Sequence, residues 1–252
     1  MTSQEAPSAA SGQLLIADIS GYTSFLQSVA LAHKDDAFAD GAVPPAYAVL
    51  SNLLDGIVGH VVPPFTLSEL EGDAVFAYAI DSDPVPRGAA MLDCLTGCYA
   101  DFRRRVGTAI DIWTCGCDAC TRIYVLDLKF ILHAGGYVTQ EIAGKSKLAG
   151  PEVVMAHRLL KNNAATLVGH SAYALITAAA AARLGIPTEA AVPIVETYEH
   201  YPPISAHVFP LREAEPRAAR TPEACPAHAP AGPRTACGCG LARCLSWPSQ
   251  LA

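Results

Sequence analysis

Two aspartates of this sequence stand at predicted turns next to apolar runs. Asp18 lies near the end of the run 13–19, and Gly21 follows where the chain is predicted to turn into a helix. Asp73 follows Gly72 at the tip of a predicted hairpin. If their strands are neighbours, both carboxylates lie at one end of a sheet. Together with phosphate oxygens, they would then form an oxygen-rich site for Mg²⁺ or Mn²⁺.

The segment that begins at Gly21 is a candidate phosphate site. The first turn of a helix presents N–H groups without partners and the positive end of the helix dipole. We therefore expect Gly21, Tyr22 and Thr23 to contact a phosphate. Taken one at a time, these residues and the two aspartates are also typical of ordinary caps and turns. The hypothesis depends on their order and spacing.

The nine cysteines contain a second candidate site. Cys115, Cys117 and Cys120 follow one another closely, which in a chain without a secretory signal indicates metal or redox chemistry more than a disulfide framework. Zinc prefers four ligands, and Cys94 and Cys98 or the cysteines near the C-terminus could complete the set. The alternatives are free or redox-linked thiols in the loop, and a core position for Cys94 and Cys98. In either case we expect the loop to be structural or regulatory.

Strands and helices must position these residues. The apolar patterns predict strands at 13–19, 65–71, 74–80, 126–138, 192–198 and 206–211, and helices at 21–33, 44–60, 88–106, 151–162 and 171–184. This order predicts an α+β fold, with an antiparallel or mixed sheet and helices on one face. His133 lies in an apolar strand and is expected to be a hydrogen-bonded core residue, and His157 is expected to pack locally.

Bulk composition limits the class of protein. A hydrophobic fraction of 51% and a charged fraction of 16% exclude a disordered chain, and the net charge of −7 argues against a nucleic-acid partner. The N-terminus lacks the pattern of a secretory signal, and no apolar run reaches the ~18 residues of a membrane span, which predicts a cytoplasmic protein with no membrane partner. Composition also predicts a disordered N-terminus (1–12), a folded domain (13–211) and a disordered Pro-, Ala- and Cys-rich tail (212–252).

Four motifs in a fixed order carry a resemblance to a known family. They are DISGYT at 18–23, EGDAVFAY at 71–78, LHAGG at 132–136 and GPEVVMAHRL at 150–159. In this order they resemble the catalytic domain of class III adenylyl and guanylyl cyclases, over residues 13–211. The segments CGCDAC at 115–120 and HRLLKN at 157–162 are similar to those of a divergent branch with a CxCxAC insertion. The resemblance implies a ferredoxin-like nucleotidyl cyclase fold with helices packed on the sheet.

The resemblance also implies roles for individual residues. Asp18 and Asp73 match the two metal-binding aspartates, and the carbonyl of Ile19 would complete the shell around Mg²⁺ or Mn²⁺. Arg158 matches the arginine that stabilises the phosphate in the transition state. Two such domains pair head to tail in the family, with the active sites at the interface. A homodimer that binds a purine nucleotide is therefore implied.

Two further positions match those that select the purine. Glu69 lies four residues before Asp73, where guanylyl cyclases carry Glu and adenylyl cyclases carry Lys, and Lys147 lies near the second purine contact. Glu69 would accept hydrogen bonds from guanine N1 and N2, while Lys147 would donate one to O6. In the simpler interpretation, the two side chains pair with each other across the interface or face solvent.

The sequence departs from the family pattern at positions that assist catalysis. Val154 replaces an asparagine expected four residues before Arg158, and Lys161 is the last lysine of the chain, so the lysine expected near the final strands is missing. Losing one such donor costs about 10²–10³ in rate. Two functions follow from these residues. One is a metal-dependent nucleotidyl cyclase with impaired or lost catalysis, and the other is a non-catalytic nucleotide- or metal-binding signalling module.

Overall fold

The computed structural model describes residues 7–34, 43–113 and 115–212. The strands are β1 (Ser8–Ser20), β2 (Thr66–Glu71), β3 (Ala74–Ile80), β4 (Asp127–Ile142), β5 (Lys145–Ala149), β6 (Tyr173–Thr177), β7 (Val192–Glu196) and β8 (Ile204–Pro210). The helices are α1 (Tyr22–Ala32), α2 (Pro45–Val61), α3 (Ala89–Ile112), α4 (Asp118–Thr121), α5 (Pro151–Arg158), α6 (Ala164–Val168) and α7 (Ala178–Leu184), with a 3₁₀ turn at Arg122–Val125. None of these helices is both long and apolar enough to cross a bilayer.

The strands form one mixed sheet in the order β2-β3-β1-β4-β6-β8-β7, with β5 folded back on the end of β4. The β4–β6 pair is parallel, and the other neighbouring pairs are antiparallel. β1 lies between β3 and β4, so the strand that ends in the first predicted motif is central. The predicted mixed α+β sheet with helices packed on it is confirmed.

Helices cover both faces of this sheet, which corrects the expectation of one covered face. Leu15, Ala17 and Ile19 of β1 share a core with α1, α2, α3 and α7. Leu14 and Ile16 point the other way and share a second core with α5 and α6. A strand buried on both faces is apolar at successive positions instead of alternating.

Segment 171–184 is not mostly helical, as its composition suggested. Its first half is the buried strand β6, and α7 begins only after Thr177, whose hydroxyl accepts a hydrogen bond from the amide of Ala180. A short apolar run buried on both faces has no period that separates strand from helix, and its place beside β4 decides the outcome. The short strand β5 was not predicted, and the helix predicted at 151–162 ends at Arg158.

The N-terminal boundary of the folded domain lies earlier than the predicted residue 13. β1 begins at Ser8, so residues 8–12 belong to the sheet and pair with β4 instead of forming a disordered segment. Residues 1–6 lie outside the described part of the chain. The tail prediction likewise falls outside it, apart from Arg212.

Candidate functional site

Asp18 and Asp73 come together at one end of the sheet. Asp18 is paired in register with Ala74, the residue after Asp73, and the Ile19 amide donates a 3.1 Å hydrogen bond to the Asp73 carbonyl. Burial and the negative charge of Asp18 raise the pKa of the Asp73 carboxyl above its ordinary value. Each carboxylate therefore feels the charge of the other, and a shared cation would relieve that repulsion.

Sequence reasoning missed the basic residue at this site, Lys129. It lies opposite Asp18 in the β1–β4 register, and its Nζ is 3.2 Å from Asp18 Oδ1. Both side chains are largely buried, at 17% and 16% exposure. The positive charge of Lys129 also lowers the pKa of Asp73, against the larger effects of burial and Asp18. The sequence feature that could have identified Lys129 is its position inside an otherwise apolar strand, because a buried ammonium needs a buried partner.

The turn after β1, where a phosphate site was predicted, leads directly into the first turn of α1. Gly21 precedes α1 with φ of +85°, a conformation that favours glycine. A side chain there would also meet the Val125 carbonyl at 3.4 Å. Among the described residues no side chain caps the first turn of α1, and Thr23 is exposed there. Burial, then the charge of Asp73, raises the pKa of the Tyr22 hydroxyl, which places Tyr22 near the aspartate pair.

The two positions predicted to select the purine line one groove. It has a volume of about 490 Å³ and lies between β2 and β5, with Leu70, Tyr78 and Leu148 among its apolar walls. Glu69 and Lys147 line it from opposite sides and form an ion pair with each other. The simpler interpretation predicted such a pair across an interface, but the structure forms it within one chain.

The contact that the structure shows for the Arg158 side chain is with Tyr201, outside the aspartate pair. Its guanidinium lies 5.5 Å from the ring centre of Tyr201, and Val154 is one turn earlier on α5. Both side chains are exposed, Val154 by 46%. Among the described residues, Arg158 forms no ion pair with either aspartate.

The two histidines near the motifs have structural contacts. His133 is buried, with Nδ1 3.1 Å from the Thr177 hydroxyl and Nε2 2.7 Å from a Glu152 carboxylate oxygen. His157 packs edge-on against Phe76 and lies 3.3 Å from a Glu71 carboxylate oxygen. Both agree with the prediction of a hydrogen-bonded core residue and a locally packed one.

The cysteine loop meets a histidine that sequence reasoning did not select. Nε2 of His33, in the turn after α1, lies 3.3, 3.4 and 3.8 Å from the sulfurs of Cys120, Cys117 and Cys115. The ligand atoms of all four residues lie within 4.8 Å of one another. The proposed contribution from Cys94 and Cys98 is wrong, since neither belongs to this cluster.

Cys94 and Cys98 lie on α3 instead. Cys98 is buried in the core, as the alternative predicted, and Cys94 is half-buried. The cysteines of the C-terminal tail lie beyond the described residues.

Each cluster fits a different metal. Two neighbouring carboxylates, of which Asp18 raises the pKa of Asp73, suit a hard cation such as Mg²⁺ or Mn²⁺. Three thiols and an imidazole suit a softer one.

Sequence comparison finds a matching family and a similar protein. A family described as "Protein of unknown function (DUF2652)" matches residues 50–167, a segment that contains Asp73, the loop cysteines and Arg158. The "Uncharacterized protein Rv2561/Rv2562" of Mycobacterium tuberculosis (strain ATCC 25618 / H37Rv) is 27% identical over 180 residues, which cover 71% of this chain and 79% of the relative.

Comparison with solved structures finds cyclases. The chain is similar to a bacterial light-regulated adenylyl cyclase (TM-score 0.56, 12% identity), over 81% of this chain but only 52% of that one. It is also similar to the adenylyl cyclase CyaB of P. aeruginosa (TM-score 0.54, 14% identity), over 81% of this chain and 96% of that one. A third similar structure is the catalytic core of a rhodopsin-guanylyl cyclase in complex with ATPαS (TM-score 0.50, 14% identity), over 81% and 97% of the two chains. This chain therefore has the fold of the class III adenylyl and guanylyl cyclase catalytic domains.

Proposed function

We propose that this chain binds a purine nucleoside triphosphate together with Mg²⁺ or Mn²⁺ and slowly converts it to the cyclic monophosphate and pyrophosphate. The observation that carries the proposal is that Asp18 and Asp73 lie close together at one end of the sheet, beside the uncapped first turn of α1. Carboxylates and helix N–H groups are the partners that a metal-bound triphosphate needs. The cyclase-type fold supports the same conclusion.

The groove between β2 and β5 supports a purine as the base. Its acidic residue Glu69 and one of its two lysines, Lys147, pair with each other in a groove whose walls include Tyr78 and Leu148. Guanine offers two adjacent donors and one acceptor, which match a carboxylate and an ammonium. Adenine has no matching pair of donors at that edge. We therefore propose a guanine nucleotide as the better ligand, bound when the Glu69–Lys147 ion pair opens.

The same site is proposed to form between two copies of the chain. Arg158 lies on an exposed face with Val154 and makes no ion pair with the aspartates within the described chain. Arg158 of a second copy, in a head-to-tail homodimer, would face the phosphates held at Asp18 and Asp73. Each dimer would then contain two composite sites.

The proposed reaction is a phosphoryl transfer within one nucleotide. The 3′-oxygen forms a bond to the α-phosphorus, the bond from that phosphorus to the oxygen bridging to the β-phosphate breaks, and pyrophosphate leaves. The hydroxyl proton is released to solvent. The cation would supply Lewis-acid activation of the 3′-hydroxyl. Arg158 would offset the charge that develops on the phosphate, and Val154 cannot contribute a hydrogen bond.

A product assay tests this function. Purified full chain is incubated with GTP or ATP and Mn²⁺, and cyclic nucleotide and pyrophosphate are measured together. We expect slow, equimolar formation of both, abolished by Asp73→Ala and retained by Asp111→Ala, an exposed aspartate on α3. Product formation that survives Asp73→Ala would contradict the proposal.

The Glu69–Lys147 ion pair and Val154 favour a second function, a non-catalytic nucleotide-binding signalling module. An ion pair across the groove must be broken before a base can bind, and a valine supplies no donor to the ribose or phosphate. Binding of GTP with Mn²⁺ in a thermal shift assay, without cyclic product, would select this module over the enzyme.

A further inference from the structure

Four metal-ligating side chains from two distant segments converge outside the proposed nucleotide site. His33 follows α1, while Cys115, Cys117 and Cys120 lie before and within α4. We propose that His33 Nε2 and the three Sγ atoms bind one structural Zn²⁺ ion. His33 is separated from Cys115 by 82 positions, so the folded chain alone brings them together.

The distances fit tetrahedral zinc. Bonds of about 2.3 Å to sulfur and 2.0–2.1 Å to nitrogen at tetrahedral angles place a sulfur and the nitrogen about 3.5 Å apart, and two sulfurs about 3.8 Å apart. The three measured nitrogen–sulfur separations are 3.3, 3.4 and 3.8 Å. All four ligand atoms lie within 4.8 Å of one another. One ion therefore reaches all four atoms with only small side-chain adjustments.

The ligand types and their burial select the metal. Thiolate and imidazole ligands favour zinc over the hard cations Mg²⁺ and Ca²⁺. His33 is 6% exposed, Cys115 3% and Cys120 2%, so little room remains for a water ligand. Four protein ligands without an open position are the arrangement of a structural zinc site. The Cys120 amide donates to Cys117 Sγ at 3.4 Å, an interaction that stabilises a metal-bound thiolate.

The imidazole separates this proposal from a redox pair of thiols. A disulfide joins two sulfurs at about 2.05 Å and gives no role to a third thiol or a histidine. Here the structure joins none of the described cysteines by a disulfide. His33 Nε2 lies within 3.8 Å of all three sulfurs, as a fourth ligand must.

The zinc ion would act as a cross-link between segments that frame the nucleotide site. It would join the end of α1 to α4, and α4 leads into the 3₁₀ turn that contains Val125. The Val125 carbonyl lies next to Gly21, from which α1 starts, and a side chain there would meet that carbonyl at 3.4 Å. The ion would thus hold α1 at both ends while contributing no catalytic group. This consequence rests on the proposed function, but the zinc site itself does not.

Metal analysis of the full chain tests the site. We expect about one Zn per chain after dialysis, consistent with a closed four-ligand site. His33→Asn and Cys117→Ser should each lower the retained zinc at least tenfold and lower the melting temperature. The matched controls His60→Asn and Cys94→Ser change a histidine and a thiol outside the cluster and should retain zinc. A variant with all four tail cysteines changed to serine should retain it too.

A second measurement uses the unaltered chain, so it tests the site even if the variants fail to fold. Co²⁺ substituted into the unaltered chain should give the visible spectrum of a tetrahedral site with thiolate-to-metal charge transfer, displaced by equimolar Zn²⁺. An octahedral spectrum, absence of zinc in the unaltered chain, or full zinc retention by His33→Asn would overturn the proposal. Loss of zinc from the tail variant would also overturn it, because the fourth ligand would then come from the tail. A chain that retains zinc but forms no cyclic nucleotide would refute only the proposed reaction.

Discussion

The ammonium of Lys129 lies 3.2 Å from the carboxylate of Asp18, on the strand that flanks β1 opposite β3. It places a covalently attached positive charge beside the two aspartates proposed to bind a divalent cation. Lys129 Nζ also approaches the Leu160 carbonyl at 3.5 Å. The lysine therefore offsets the charge of Asp18 when no metal is bound, and it competes electrostatically with a metal when one is present.

Replacing this lysine should strengthen metal binding. In Lys129→Gln the aspartate pair loses a nearby positive charge, so we expect Mn²⁺ to bind about tenfold more tightly. Without metal the variant should be less stable, because Asp18 would be left largely buried without its ion-pair partner. Calorimetric titration with Mn²⁺ and thermal melts with and without the ion measure both effects. Lys161→Gln, at an exposed position, is the control, and unchanged Mn²⁺ affinity in Lys129→Gln would contradict the expectation.

The contribution of Asp73 to folding stability should fall as the pH rises. The contribution of an ordinary salt-bridged carboxylate changes in the opposite direction. Burial and Asp18 raise its folded-state pKa above 3.8, so the folded protein binds the proton more tightly than the unfolded chain does. Ionisation at neutral pH therefore costs folding free energy, and this cost disappears below the unfolded value.

Asp73→Asn should consequently be more stable than the unaltered protein at pH 7 without metal, and the gain should vanish as the pH falls below about 3.8. Urea denaturation across this pH range measures it. With saturating Mn²⁺ the order should reverse, since only the unaltered protein gains stability from the ion. A metal-free stability difference that does not change with pH would show that the Asp73 carboxyl is not destabilised.

Glu69 should favour guanine over adenine. We expect GTP with Mn²⁺ to bind more tightly than ATP, and Glu69→Ala to remove most of that preference. A hydrogen bond to a charged group contributes about 1.5–3 kcal/mol, or roughly ten- to a hundredfold in affinity. Competition binding with labelled GTP measures the ratio. Glu141→Ala changes a carboxylate of β4 outside the groove and serves as the control. Equal affinities for GTP and ATP in the unaltered chain would exclude this role.

Complementation between inactive chains should test the composite site. An Asp73→Ala chain and an Arg158→Ala chain each lack one part of the proposed site. Mixed together, they should form heterodimers with one intact site and recover up to about a quarter of the unaltered activity, since about half of the dimers are mixed and each has one of two sites. Cyclic product is measured across mixing ratios. No recovery despite heterodimer formation, or activity in a strictly monomeric sample, would contradict the arrangement.

Local patterns were sufficient to predict much of this fold. The strand that carries Asp18, the two strands on either side of the Asp73 turn, and the helices α1, α2 and α3 follow from apolar periodicity and turn residues, because one or two buried faces dictate those patterns. The strand Tyr173–Thr177 was missed because burial on both faces removes the period. β5 was missed because its pairing with the end of β4 is what makes it a strand.

The sequence by itself determined the two aspartates, their order and the cysteine loop, because residue types and short spacings are written in the chain. Tertiary structure alone decided which distant side chains became partners. It placed Lys129 against Asp18 through strand register, and it brought His33 to Cys115, Cys117 and Cys120 across the fold. No local sequence pattern encodes such pairs, because the partners lie far apart along the chain. They meet only when the whole sheet and its helices pack.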